Sequence, residues 1–341
     1  MSARGLTRFL NRFAGRRIAV AGDFMLDHFI WGRASRLSAE APVPVLETQS
    51  ETFQPGGAGN VAANLAALGA IALPFGIVGK DVAGANLRAA LTTRGISTAG
   101  LIAVAGRPTT RKLRIVETAR KHQVARADTE VTTPLPERLA HRLAASLLAE
   151  RFDAVIVSDY DKGVVTEGFL AEVLPALKSR GTPVFLDPRP RQAGLYHPIS
   201  VLTPNRKEAE TITGIEIRDD ESLRDAAGKL LVLTQGVAVL ITLSDEGMAL
   251  VEADAASAPG RLRRIATVSR EVYDVTGAGD TVIAAFALSH AAGAGFVDAA
   301  RIANYAAGIA VGHVGTVAPS LAELRKAVAQ AFRPVFRPTQ A

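Results

Sequence analysis

The chain of 341 residues contains no cysteine. This excludes a disulfide framework, a thiol nucleophile and any thiolate-ligated zinc site, and a cytoplasmic location is the natural expectation. Aromatic residues are scarce, at 5% with a single tryptophan. That is too few for the stacking platform on which a single-strand nucleic-acid binder lays its bases. Long apolar runs are missing as well: no stretch approaches the ~20 residues that span a bilayer, and no signal peptide opens the sequence. Charge does not gather either. The 39 Lys and Arg exceed 33 Asp and Glu by only +6, and no basic run is longer than a pair, as at Arg16-Arg17, Arg111-Lys112 and Arg263-Arg264. A nucleic-acid binder concentrates its base on one face or tail. Neither nucleic acid nor membrane is therefore expected as a partner, while anionic small ligands suit the mild positive balance.

Other chemistries fall by similar absences. The histidines His28, His122, His141, His197, His290 and His313 never pair at metal-ligand spacing, and no Gly-x-Ser-x-Gly elbow occurs. Zinc hydrolysis and a serine triad are not expected. There is no Gly-x-x-x-x-Gly-Lys-Ser/Thr run, and Gly22 stands alone after the first strand, so a P-loop and a dinucleotide fingerprint are both removed.

What is present is an α/β alternation. Hydrophobic residues make up 48% of the chain, and strand-like runs alternate with helical ones, the pattern of a parallel sheet covered by helices on both faces. The length suits two average domains or one large α/β unit. The pattern places strands over 17–21, 71–78, 153–158, 183–187, 199–203 and 237–243. It places helices over 59–68, 135–150, 166–179, 277–292, 297–311 and 320–332, with others opening at Asn205 and Asp220. Residues 42–48 and the alternating stretch 101–128 read as a small sheet standing off the body, a lid. Leu6, Phe9, Leu10 and Phe13 recur at helical spacing among Arg4, Arg8, Arg12, Arg16 and Arg17. A transit peptide can look this way; a short helix packed before the first strand is the simpler reading.

In open α/β sheets ligands bind beyond the carboxyl ends of the strands, which singles out five places. The sharpest is Asp274-Val275-Thr276-Gly277-Ala278-Gly279-Asp280-Thr281, running into an apolar helix. Its glycines leave backbone amides bare at a helix N-terminus, where dipole and unpaired donors favour phosphate. Asp280, in the first turn, is expected to stay ionised there and to act as a base. The second is Gly56-Gly57-Ala58-Gly59-Asn60, where a ligand can lie on the backbone and Asn60 can face hydroxyls; an ordinary flexible loop reads the same. Asp23 and Asp27 follow strand one and suit sugar hydroxyls, or an Asx turn. Asn205 and Glu208 share one side of a helix start and could hold hydrated magnesium, though Asn-x-x-Glu is also a capping box. Last, Thr242 to Gly247 forms a turn that could lie along a nucleotide.

Taken together, the early Gly56-Gly57 with Asn60 and the late Asp274 to Asp280 segment resemble the two signatures of the ribokinase-like (PfkB) sugar kinases, in order and over the whole chain. The resemblance is nearest to the heptose kinases that phosphorylate D-glycero-D-manno-heptose 7-phosphate at the anomeric oxygen, including the kinase half of the bifunctional ADP-heptose synthesis enzyme. It rests on Gly22-Asp23-Phe24-Met25-Leu26-Asp27, on residues 35–45 with Glu40-Ala41-Pro42-Val43-Pro44-Val45, on Ser158-Asp159-Tyr160, on Leu202-Thr203-Pro204-Asn205 and on 271–282.

The resemblance implies a ribokinase-like three-layer α/β/α core with a mainly parallel sheet and a small β-sheet lid, as one domain over 1–341. The lid would be formed mainly by about 28–54 and 101–128. Asp280 would take the sugar's proton while Gly277, Ala278 and Gly279 hold the developing charge. Asp23, Asp27, Gly56, Gly57 and Asn60 would grip the sugar, and Arg111, Lys112, Arg126 and Lys162 are candidates for a substrate phosphate. Asn205 and Glu208 would position magnesium, through water, with the ATP phosphates. Thr242, Ser244, Gly247, Thr276 and Asn304 would line the nucleotide. ATP with Mg2+, a sugar phosphate, a homodimer through the lid and K+ near Asp274 and Thr276 complete what the resemblance implies. Ala39, the 118–123 stretch and Asp161 depart from the heptose-kinase pattern, which leaves a kinase of another sugar as the alternative. A non-catalytic sugar or nucleotide sensor is the reading from another class. The chain ends soon after the last helix, so no nucleotidyltransferase domain is expected.

Overall fold

The computed structural model describes residues 3–119, 122–254, 259–268, 274–313 and 315–331. Helix α1 (Ala3–Leu10) precedes β1 (Arg17–Gly22), β2 (Phe24–Leu37), β3 (Pro44–Gly57), α2 (Ala58–Ala67), β4 (Ile71–Gly79), α3 (Val82–Thr92), β5 (Leu101–Val104), β6 (Thr110–Glu117) and β7 (His122–Thr129). Then come α4 (Glu137–Leu148), β8 (Ala154–Ser158), α5 (Glu167–Ser179), β9 (Val184–Asp187), β10 (Val201–Leu202), α6 (Arg206–Thr213) and α7 (Asp220–Thr234). The chain closes with β11 (Ala238–Thr242), β12 (Met248–Ala253), β13 (Pro259–Ile265), α8 (Ala278–Ala291), α9 (Phe296–Ala310) and α10 (Leu321–Gln330).

Nine strands form one sheet in the order β13-β12-β11-β10-β9-β8-β1-β4-β5. It is parallel from β11 to β5, and β12 and β13 add an antiparallel edge. The central strands are apolar throughout because both faces are covered. Successive residues serve opposite layers: Ile18 and Val20 join the core under α1, α2, α8 and α9, while Ala19 and Ala21 join the core under α4, α5 and α7. The result is the expected α/β/α sandwich. Leu6, Phe9, Leu10 and Phe13 are all buried in the first core, at roughly 1.5–3 kcal/mol each. That burial holds an eight-residue helix too short to persist alone.

The second sheet runs β3-β2-β6-β7. It differs from the expected lid at two points. Strand β5 pairs in parallel with β4, from Gly76 opposite Leu101 to Gly79 opposite Val104, so it belongs to the main sheet. Buried Leu101 and Ile102 explain why: this short strand serves the core, although its neighbours alternate. The small sheet also starts earlier than 28, because β2 leaves β1 after the single residue Asp23. It is therefore built from 24–57 and 110–129.

Candidate active site

Helix α8 starts where the late glycine segment predicts. Gly277 caps it in the left-handed region, at φ 78°, and a Cβ there would stand 2.6 Å from Asn60 Nδ2. Only glycine meets both demands. One turn in, Asp280 is buried at 4% exposure. Its Oδ2 accepts from Asn60 Nδ2 at 2.8 Å and its Oδ1 from the Tyr160 hydroxyl at 2.7 Å. Asn60 is itself braced: Asn64 Nδ2 donates to its carbonyl at 2.9 Å, and Thr281 Oγ1 donates to Asn64 Oδ1 at 3.0 Å. The amide expected to grip sugar is thus turned onto the carboxylate.

The charge state of Asp280 is set by more than the helix start. A helix N-terminus favours the ionised form by ~0.3–1 kcal/mol, yet burial lifts the carboxyl from 3.8 to about 6, roughly 3 kcal/mol in the other direction. The bonds from Asn60 and Tyr160 and the Lys112 charge oppose the rise, and the Asp27 charge adds to it. Desolvation wins.

Asp23 and Asp27 separate into two roles. Asp23, 1% exposed, accepts the backbone amides of Tyr160 at 2.7 Å, Lys162 at 3.1 Å and Val164 at 3.2 Å. Its carboxylate closes the loop after β8. Beside it Asp159 accepts from the Tyr196 hydroxyl at 2.6 Å, and burial with the Asp23 charge pushes it up to about 7. Burial raises Asp23 as well, but three amide donors favour its charged form, so Asp159 takes a proton first. Asp27, in contrast, faces the site and accepts from Arg114 Nη2 at 3.0 Å. A Cβ on Gly56 would lie 2.4 Å from Asp27 Oδ2, so the early glycine makes room for that carboxylate. Gly57, at φ 55°, turns the chain into α2.

The basic candidates also divide. Lys112 and Arg114 alternate on β6 and so share a face, with Lys112 registered beside Asp27 on β2 and Asp128 on β7. The Lys112 ammonium sits 5.8 Å from the centre of the Tyr160 ring, and burial lowers its pKa. Arg126 pairs with Asp128 at 3.0 Å and Lys162 with Glu130 at 2.9 Å. Arg111 falls on the other face of β6, within reach of Asp81, which removes it from the candidates.

On the nucleotide side, Asn205 caps α6 in a reciprocal capping box with Glu208, and Glu208 Oε1 accepts from Arg189 at 3.0 Å. Thr242 bridges to Asn205. Ser244 and Gly247 take positive φ in the next turn, and a Cβ on Gly247 would stand 2.2 Å from the Ile265 carbonyl. The Asn304 amide is spent on the Ala266 carbonyl at 2.7 Å, bordering a cavity of about 550 Å³ lined also by Arg264 and Tyr305. Thr276 is exposed, and its amide donates to Asp274 Oδ1 at 2.9 Å. Residues 271–273 of the late segment lie outside the described residues. Among the described residues no three His, Asp or Glu cluster as a metal cage.

Residues 16–323 match the pfkB family carbohydrate kinase description. The chain belongs to the pfkB family of carbohydrate kinases. An ATP-dependent sugar kinase is the enzyme class this carries. The chain is 45% identical over 307 residues to the Bifunctional protein HldE of Geobacter sulfurreducens, covering 89% of this chain and 61% of that protein. It is 44% identical over 323 residues to the protein of the same name from Citrifermentans bemidjiense, covering 94% and 65%. It therefore spans less than two thirds of the length of these relatives. Among solved structures, ribokinase of Arabidopsis thaliana complexed with ribose and ATP superposes with a TM-score of 0.70 at 21% identity, covering 92% of this chain and 99% of that one. Phosphofructokinase-2 of Escherichia coli in complex with potassium gives 0.77 at 20%, covering 94% and 100%. At that identity both show the fold alone.

Sequence reasoning missed four side chains of the candidate site. Tyr160 bonds Asp280 directly. Arg189 lies 4.7 Å over the Tyr160 ring. Asp187, at the end of β9, is pushed well above the carboxylate range by burial and by the charges of Glu208 and Asp280. Arg114 had a usable signal, two residues from Lys112 in a strand. Asp161 has a conformational account: it sits at φ 55°, where a small residue is easiest and Asp is tolerated.

No helix among the described residues is long and apolar enough to cross a membrane.

Proposed function

We propose that this kinase transfers the γ-phosphoryl group of ATP to the anomeric hydroxyl of D-glycero-D-manno-heptose 7-phosphate, a step toward ADP-heptose for lipopolysaccharide cores. The observation that carries the chemistry is the buried Asp280 carboxylate, fixed from both sides by Asn60 and Tyr160 beside the Gly277 to Gly279 amides. The heptose branch is supported by the 35–45 and 158–160 segments and by relatives at 41–45% identity that share the name Bifunctional protein HldE.

The acceptor hydroxyl gives its proton to Asp280, whose value of about 6 leaves it mostly ionised at neutral pH yet a stronger base than an ordinary aspartate. The acceptor oxygen bonds the γ-phosphorus as the bond to the β–γ bridging oxygen breaks, and ADP leaves. The amides at the start of α8 and the cations Lys112 and Arg114 offset charge on the moving phosphoryl group, which is most of what this chemistry asks of a protein. Magnesium fits beside Glu208 through water, since each carboxylate oxygen keeps a lone pair after its one bond, to Asn205 N or Arg189. When bound it would neutralise the β- and γ-phosphate oxygens. The small sheet acts as the lid, through which two copies associate.

A panel of sugar phosphates with Mg-ATP, read as ADP release, tests the assignment. Preferred turnover of heptose 7-phosphate supports it. Turnover of ribose or a fructose phosphate with none on the heptose transfers the enzyme to another branch, and no turnover on any sugar with intact ATP binding favours the sensor reading.

A further inference from the structure

Tyr160 is held at three points by three different parts of the fold. Its backbone amide donates to Asp23 Oδ2 at 2.7 Å, which ties it to the end of β1. Its ring lies under the Arg189 guanidinium at 4.7 Å, with the Lys112 ammonium 5.8 Å from the same centre. Arg189 is anchored in turn by Glu208 at 3.0 Å. Its hydroxyl reaches Asp280 Oδ1 at 2.7 Å. A tyrosine that merely filled space would not need two cations on its ring and a carboxylate as its hydroxyl partner.

From this geometry we infer that Tyr160 is a positioning residue of the phosphoryl transfer, aiming the Asp280 carboxylate at the acceptor hydroxyl. The inference rests on the reading of Asp280 as the base and deepens it. Against the ionised carboxylate the phenol is the donor, and burial with the charges of Asp280 and Asp187 pushes its own ionisation well above the usual range. With Asn60 donating to the other oxygen, each oxygen keeps a further lone pair. Two bonds from opposite sides stop the carboxylate from rotating. The groups facing Asp280 are Asn60 from α2, Asp27 from β2, Lys112 from β6 and Tyr160 from the loop after β8, with Asp187 beyond the tyrosine.

The test is the pH dependence of kcat in Tyr160→Phe, which keeps the ring and removes only the donor. Losing a hydrogen bond to the charged form makes Asp280 easier to protonate. The acid limb of the profile is expected to move up by about one pH unit. Turnover should fall roughly threefold at pH 6.5 and little at pH 8.5, with KM for ATP held within about twofold. An acid limb in the wild-type position, with unchanged melting temperature, overturns the inference. If the Phe variant fails to fold, 3-fluorotyrosine at position 160 serves instead: a stronger donor should move the limb down, and no movement overturns the inference. Asp280→Asn, assayed alongside, separates the two claims. An active Asp280→Asn enzyme removes the base itself, whereas an inactive one with an unmoved Tyr160→Phe profile removes only the tyrosine's role.

Discussion

Asn60 and Asp280, 220 positions apart in the chain, meet at 2.8 Å through an amide that donates to a carboxylate. That bond brings the early glycine segment and the late one into a single site. On the proposed reading of Asp280 as the base, Asn60 acts on that base. Asn60→Ala should leave Oδ2 without its donor, lower kcat by about tenfold to a hundredfold and change KM for sugar little. Initial-rate measurements over both substrates decide it: a large rise in sugar KM at unchanged kcat would return Asn60 to the sugar.

Asp280 is expected to supply the proton acceptor and nothing that ATP needs for binding. Asp280→Asn should cut turnover by roughly 10³-fold or more while calorimetric ATP affinity stays near wild type. Retention of most of the turnover is the outcome that sinks the base assignment.

The same burial makes Asp280 a cost to the fold, and the sign can be worked out. The folded value of about 6 lies above the unfolded 3.8. Below pH 3.8 the group is protonated in both states and carries no penalty. Above pH 6 it is charged in both, and the folded state bears the full desolvation cost, so stability falls as pH rises through that window. Asp280→Asn can still accept from Asn60 and face the tyrosine hydroxyl. It should melt higher than wild type at pH 8, by roughly 2–5 °C, and show no advantage at pH 4. Equal melting temperatures at pH 8 would contradict the elevated pKa.

How far the sequence carried depends on whether a role is written locally. Gly277 and Asp280 were legible because a helix start with bare amides and an acid in its first turn is a local pattern. The capping box at Asn205 and Glu208 was legible for the same reason. Tyr160, Arg189 and Asp187 were not, since they meet Asp280 only after β8 and β9 take their places in the sheet. The role of Asp23 was not legible, because a carboxylate after a strand looks the same whether amides or sugar hydroxyls will fill it. Strand β5 misled because four residues carry too little pattern to say which sheet will claim them.

The lid should also join two copies of the chain. Leu37 and Val43, 69% and 51% exposed, stand at the far end of the β2–β3 ribbon, where an apolar pair has no partner within the described residues' own cores. Light scattering at micromolar concentration should give twice the chain mass, and Leu37→Glu with Val43→Glu should give the monomer. A wild-type monomer removes the dimer.

Asp23 offers the sharpest separation of structure from substrate. Its two oxygens take three backbone amides of the loop that carries Tyr160 and Lys162. Asp23→Asn keeps the shape but turns an NH2 group toward at least one of those amides, leaving buried donors unsatisfied. The loss should be about 1–3 kcal/mol of stability, seen in urea unfolding. Because the loop also sets Tyr160, kcat should fall with it while sugar KM moves little. A variant as stable as wild type whose only defect is weak sugar binding would show that Asp23 serves the substrate and that its three amide bonds add little to the fold.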